Sequence, residues 1–173
     1  MTELPRMTRR EFGFGAAAGL IAGTEDSRTG VLTRDEAGAI LPATVFFRGQ
    51  SATLQARNSS GLRFGGGRLV LTGLVDTSGY SSGIAEKYQA YLITELALRI
   101  GDQRLLPGCY GYGFLASDRM VVMDIGANDL MRATTQRDAV LKRPTPLQIL
   151  VDGAAYRLYL GRSYVSLMVE PAR

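Results

Sequence analysis

The chain of 173 residues has no histidine, no tryptophan and one cysteine, and only two of its 20 basic residues, Lys87 and Lys142, are lysines. Without histidine it lacks the commonest general base and the commonest transition-metal ligand. No Ser-His or Cys-His couple can form. The single Cys109 excludes an internal disulfide and any cysteine-based zinc or iron–sulfur site within one chain. Its setting in an aromatic strand predicts a small, buried apolar side chain. No run of basic residues is present. Nucleic-acid binding, which needs a clustered basic face, is therefore not expected.

What remains is an ordinary globular composition. The apolar fraction is 46% and the charged fraction 21%, enough for a real core in a single domain. The 21 glycines are spread along the chain and mark turns and bulges rather than a low-complexity tract. Formal charge is +4, of which residues 1–23 carry +1, leaving a mild excess of +3 on the other 150 residues.

The N-terminus carries the most specific motif. Thr8-Arg9-Arg10-Glu11-Phe12 precedes the apolar, small-residue run Gly13 to Gly23 (GFGAAAGLIAG). This stretch resembles a twin-arginine (Tat) export signal, S/T-R-R-x-F-L-K, with Gly13 in place of the usual Leu and Phe14 in place of the frequent Lys. The resemblance implies that Arg9, Arg10 and Phe12 are signal residues and that the Tat translocase is a partner. It also implies a periplasmic or secreted location and a passenger folded before export. The run is shorter than the ~20 apolar residues of a spanning helix but suits a signal h-region. Leu20-Ile21-Ala22 and Ile21-Ala22-Gly23 are passable cleavage sites, and an uncleaved signal acting as a membrane anchor is the alternative.

Thr24 to Val31 reads as a linker and residues 32–173 as one β domain. Thr33 and Glu36 have capping-box spacing, which predicts a short helix ending before Pro42. Beyond it, two-residue periodicity dominates. Strands are expected over Thr44–Arg48, Ser51–Arg57, Arg68–Val75 and Tyr88–Thr94, with Asn58-Ser59-Ser60-Gly61 as a turn. Leu105 to Gly126 reads as a hairpin turning at Ala116-Ser117-Asp118. Asn128 to Ala133 reads as a helical turn. Three strands close the chain, Leu147–Val151, Ala155–Leu160 and Ser163–Val169, with Asp152-Gly153 as the tight turn between the first two. The expected fold is all-β and mostly antiparallel, eight to ten short strands forming a β-sandwich or partly closed barrel with a short N-terminal helix. The body resembles small exported bacterial β-sandwich domains, a likeness that carries no site residues with it.

Eight tyrosines are many for this length. Tyr110, Tyr112 and Phe114 alternate on one face of a strand, with Gly111 and Gly113 on the other. The stripe either lines a ligand-binding surface or forms a core face; the glycines invite close backbone approach by something, more often another part of the fold than a ligand. Asp76-Thr77-Ser78-Gly79 superficially matches an aspartic-protease turn, but Ser78 displaces the glycine, and Asp76 reads as a turn cap. Asp124, Asn128 and Asp129 lack EF-hand spacing. No cofactor or metal is expected. The leading expectation is a non-enzymatic exported module that binds a protein, a carbohydrate or an apolar ligand through its tyrosine-rich surface. A hydrolase using two of Asp76, Glu86, Glu95, Asp124 and Asp129, or a structural envelope protein, are the alternatives.

Overall fold

The computed structural model describes residues 29–170. Arg9, Arg10 and Phe12, expected as signal residues, lie outside them. The chain opens with β1 (Gly30–Leu32) and α1 (Arg34–Ile40). Next come the hairpin strands β2 (Thr44–Phe47) and β3 (Gln50–Arg63), then β4 (Leu69–Val75), α2 (Ser82–Lys87) and β5 (Ala90–Thr94). There follow β6 (Leu98–Ile100), β7 (Gln103–Leu105), β8 (Gly108–Leu115), β9 (Arg119–Met123), β10 (Asp129–Thr134) and β11 (Gln136–Arg137). The last three are β12 (Leu147–Asp152), β13 (Ala155–Leu160) and β14 (Ser163–Val169).

Fourteen strands, rather than eight to ten, form two antiparallel sheets packed as a sandwich. The first runs β1-β3-β4-β5-β8-β9-β10, with β2 paired to β3; the second runs β12-β13-β14-β6-β7, with β11 on β14. The count rises because β1 and β10 form where a linker and a helical turn were expected, and because the chain changes sheet three times in short corners, between β5 and β6, β7 and β8, and β10 and β11. Each crossing splits one long extended segment into two strands. Along the opposite side the sheets meet where the Ile149 amide of β12 donates to Ser60 Oγ of β3 at 3.1 Å.

The first sheet is buried on both faces. Val70, Leu92, Tyr112 and Val122 face the second sheet, where Leu158, Val165 and Leu167 complete the main core. Leu71, Tyr91, Val121 and Met123 face outward, under a second cluster supplied by Ala37 and Leu41 of the first helix region and by Phe47 and Tyr88. This explains why β4 (LVLTGLV) reads as continuously apolar rather than alternating. α1 is seated by its capping box: Thr33 accepts from the Glu36 amide, and Glu36 accepts from the Thr33 amide at 2.8 Å.

Four local expectations are corrected. Tyr88 does not begin a strand; it caps α2, its amide donating to the Ile84 carbonyl at 2.8 Å, and β5 starts at Ala90. The Asn58–Gly61 turn is instead a bulge inside one long strand, because the chain resumes pairing with β4 after it. Asn128–Ala133 is not helical: β10 alternates Met131 and Ala133 into the core. Cys109 is exposed, because the elements that cover Gly111 and Gly113 on the same outward face do not reach it.

Candidate binding groove

Tyr110, Tyr112 and Phe114 all point between the sheets. Tyr112 is fully buried at the centre of the core. Its hydroxyl lies 2.8 Å from Thr72 Oγ1, which donates its one proton to the Tyr91 carbonyl at 2.9 Å. Tyr112 is therefore the donor in that pair. Tyr110 and Phe114 are half-buried at the two ends and pack on the same cluster. Tyr110 donates to the Leu106 carbonyl at 2.9 Å, inside its own corner. The middle ring of the stripe has no route to a ligand while the sheets stay together.

The opposite face of β8 is where backbone is approached closely. A Cβ on Gly111 would lie 2.5 Å from Phe47 Cε2 and 2.8 Å from Tyr88 Cδ2. One on Gly113 would collide with the Lys87 carbonyl. The two glycines admit the stacked pair Phe47–Tyr88, with centroids 3.8 Å apart, and the last turn of α2. Tyr80 and Tyr91 pack edge-on to Tyr88. The Tyr88 hydroxyl is buried without a protein partner, and burial raises its pKa well above the ordinary tyrosine value.

Four of the five carboxylates weighed for hydrolysis, all but Glu86, have separate partners. Asp76 accepts from the Ser78 amide at 3.0 Å, which lowers its pKa. The Asn128 side chain and amide hold Asp124 below its ordinary value. Arg132, and then Lys87, lower Asp129. Glu95 accepts from the Leu69 amide at 2.8 Å. A general acid needs its pKa raised, and the shifts at these aspartates go the other way. Among the described residues no group of acidic or cysteine side chains is placed to hold a metal ion.

The open concavity lies elsewhere, at the bulge of β3. Gln55 pairs with Leu74 and Ser59 with the adjacent Gly73, so residues 56–58 are extra and rise out of the sheet. The bulge is held at its base. Ser59 Oγ contacts the Ala56 carbonyl at 2.7 Å and the Arg34 carbonyl of α1 at 3.1 Å, and Asn58 Nδ2 donates to Gln55 Oε1 at 2.8 Å. Gly38 lets α1 rest on it, since a Cβ there would meet the Ala56 carbonyl at 2.8 Å.

A groove of about 380 Å³ opens between this bulge, the start of α1 and edge strand β12; Val31, Arg34, Arg57, Asn58, Gln148 and Leu150 line it. A second cleft, of about 700 Å³, shares Arg34, Arg57 and Asn58 and adds Asp76. The groove's one carboxylate, Asp35, is 3.5 Å from Arg34 in a solvent-exposed pair, the kind worth ~1 kcal/mol or less. Arg57 is exposed and has no hydrogen bond or ion pair among the described residues. Gln148 Nε2 is buried and has no partner among the described residues. No aromatic ring lines the groove. Sequence reading missed Arg34, Arg57 and Gln148. The available signal was the polar run Arg57-Asn58-Ser59-Ser60, which fits a bulge as well as a turn.

No protein-family model, no curated protein and no solved structure matches this chain.

Proposed function

We propose that the protein is a non-catalytic binding module of the bacterial envelope, exported by the Tat route, whose site is the groove at the β3 bulge and whose ligand carries a carboxylate. The observation that carries this reading is Arg57: a bulge lifts it out of the sheet, and among the described residues no group accepts from it. A guanidinium with free donors selects a planar anion. Arg34, tied only to an exposed neighbour, supplies a second, and the unpartnered Gln148 amide a neutral donor. A stacking platform for sugar rings is missing from the groove, which favours a carboxylate-bearing peptide over a carbohydrate. Export is supported by Thr8-Arg9-Arg10-Glu11-Phe12.

The test is titration of the ¹⁵N-labelled protein with tetraglutamate at low salt. Shifts are expected at Arg57, Asn58 and Gln148, and Arg57→Ala is expected to weaken binding about tenfold. Shifts confined to Tyr110 and Phe114, or no shifts, overturn the reading.

A further inference from the structure

β12 is the edge of the second sheet, and its outer side is only partly used. It turns into β13 through the two-residue loop Gly153-Ala154, with Asp152 opposite Ala155. Alternation along the ladder gives the backbone groups of Gln148, Leu150 and Asp152 to β13, and turns those of Leu147, Ile149 and Val151 outward. Two of these outward groups are taken by side chains: the Ile149 amide donates to Ser60 Oγ, and the Leu147 carbonyl accepts from Thr145 Oγ1 at 3.1 Å. Among the described residues the Ile149 carbonyl and both polar groups of Val151 carry no such partner.

Little on this edge discourages pairing, its one charge, Asp152, being tied to Arg157. The strand reads Leu-Gln-Ile-Leu-Val-Asp, without proline or lysine, the devices that normally blunt an exposed edge. Val151 is 64% and Leu150 37% exposed. The free stretch runs out of the groove that holds Arg34 and Arg57.

We infer that the partner is an extended acidic peptide that adds as a strand to β12 at Val151 and lays a carboxylate side chain on Arg57, an inference that rests on the groove being the binding site. In strand addition the main chain supplies affinity, and side-chain contacts at alternate positions supply choice. Here the choice is by charge, since the groove carries two guanidiniums against one carboxylate.

Val151→Pro isolates the strand contact. It deletes an amide hydrogen that faces away from β13, a position where edge strands tolerate proline. The probe is a short fluorescent peptide of alternating valine and glutamate, beside tetraglutamate. Val151→Pro is expected to weaken the alternating peptide about tenfold at unchanged Tm, while Val151→Ala changes it less than about twofold. An alternating peptide N-methylated at every second residue should lose affinity on the native protein to the same degree, which decides the matter if the proline variant does not fold. If Arg57→Ala abolishes binding but Val151→Pro and N-methylation do not, the groove holds carboxylates without strand pairing and the inference falls alone. Equal affinity for an oligogalacturonate, which has no peptide amides, overturns it in the same way. A dimer that Val151→Pro dissociates, with no peptide bound, assigns the edge to a second copy and also overturns it. Failure of native protein to bind either glutamate peptide removes the groove reading as well.

Discussion

Tyr112 donates a hydrogen bond to Thr72 across the centre of the first sheet, and Thr72 passes its own proton to the Tyr91 carbonyl. The pair is asymmetric. Tyr112→Phe leaves Thr72 still bonded to Tyr91 and is expected to cost about 1 kcal/mol. Thr72→Val strands the fully buried Tyr112 hydroxyl and removes a second bond from the Tyr91 carbonyl, and is expected to cost about 2–3 kcal/mol. Urea unfolding of the two variants checks the order; equal losses would mean that the hydroxyl finds another partner.

Gly111→Ala would push a methyl group into the stacked rings of Phe47 and Tyr88. Overpacking of this kind costs about 1–3 kcal/mol, which in a domain of this size is a fall in Tm of roughly 2–12 °C. Gly113→Ala meets the Lys87 backbone carbonyl, which gives way less readily than a ring, and should be the worse of the two. Gly65→Ala, with open space around it, is the control and should move Tm by no more than about 1–2 °C. Thermal melts of the three variants decide it.

Stability should fall at both ends of the pH scale for opposite reasons. Burial pushes Tyr91 up to about 12 and raises Tyr88 and Tyr112 further. Folded values above the unfolded value of 10.0 mean stability that is whole below pH 10 and lost as pH climbs toward the folded values. Tyrosinate absorbance should therefore show these rings ionising only with unfolding. In acid the sign reverses. Arg132 and Lys87 lower Asp129, so its contribution is whole above its ordinary value of 3.8 and disappears as pH drops through the folded value. Asp129→Asn should flatten that limb of the stability curve.

Arg9→Lys with Arg10→Lys keeps both charges but removes the paired guanidiniums of the proposed export motif. The double variant is expected to accumulate in the cytoplasm of a Tat-competent bacterium, as read by fractionation. Unchanged delivery to the periplasm would rule out that route.

Much of the architecture was legible because burial imposes a two-residue period on strands. Thr33 and Glu36 announced α1 by chemistry alone, and Asp152-Gly153 marked its hairpin one residue early, the loop being Gly153-Ala154. Gly111 and Gly113 announced a close approach, and the approaching parts proved to be Phe47, Tyr88 and the end of α2. What stayed hidden was long-range. A bulge and a turn share the same polar residues, and only the pairing of Ser59 with Gly73 tells them apart. Tyr88 sits at the end of a helix whose reason for being there is the outward face of β8. The stripe of Tyr110, Tyr112 and Phe114 shows its period plainly, yet which of its two faces meets another sheet is decided by strands far along the chain. Arg57 carries no local mark at all, since an arginine is recruited to a groove by what folds beside it.

The three crossings between the sheets bind the two layers into one piece of cloth. A segment pulled from either layer drags its continuation out of the other, so the two sheets are expected to unfold together. For a passenger of the export route proposed above, a quality check that recognises loose chain would then meet an all-or-nothing object.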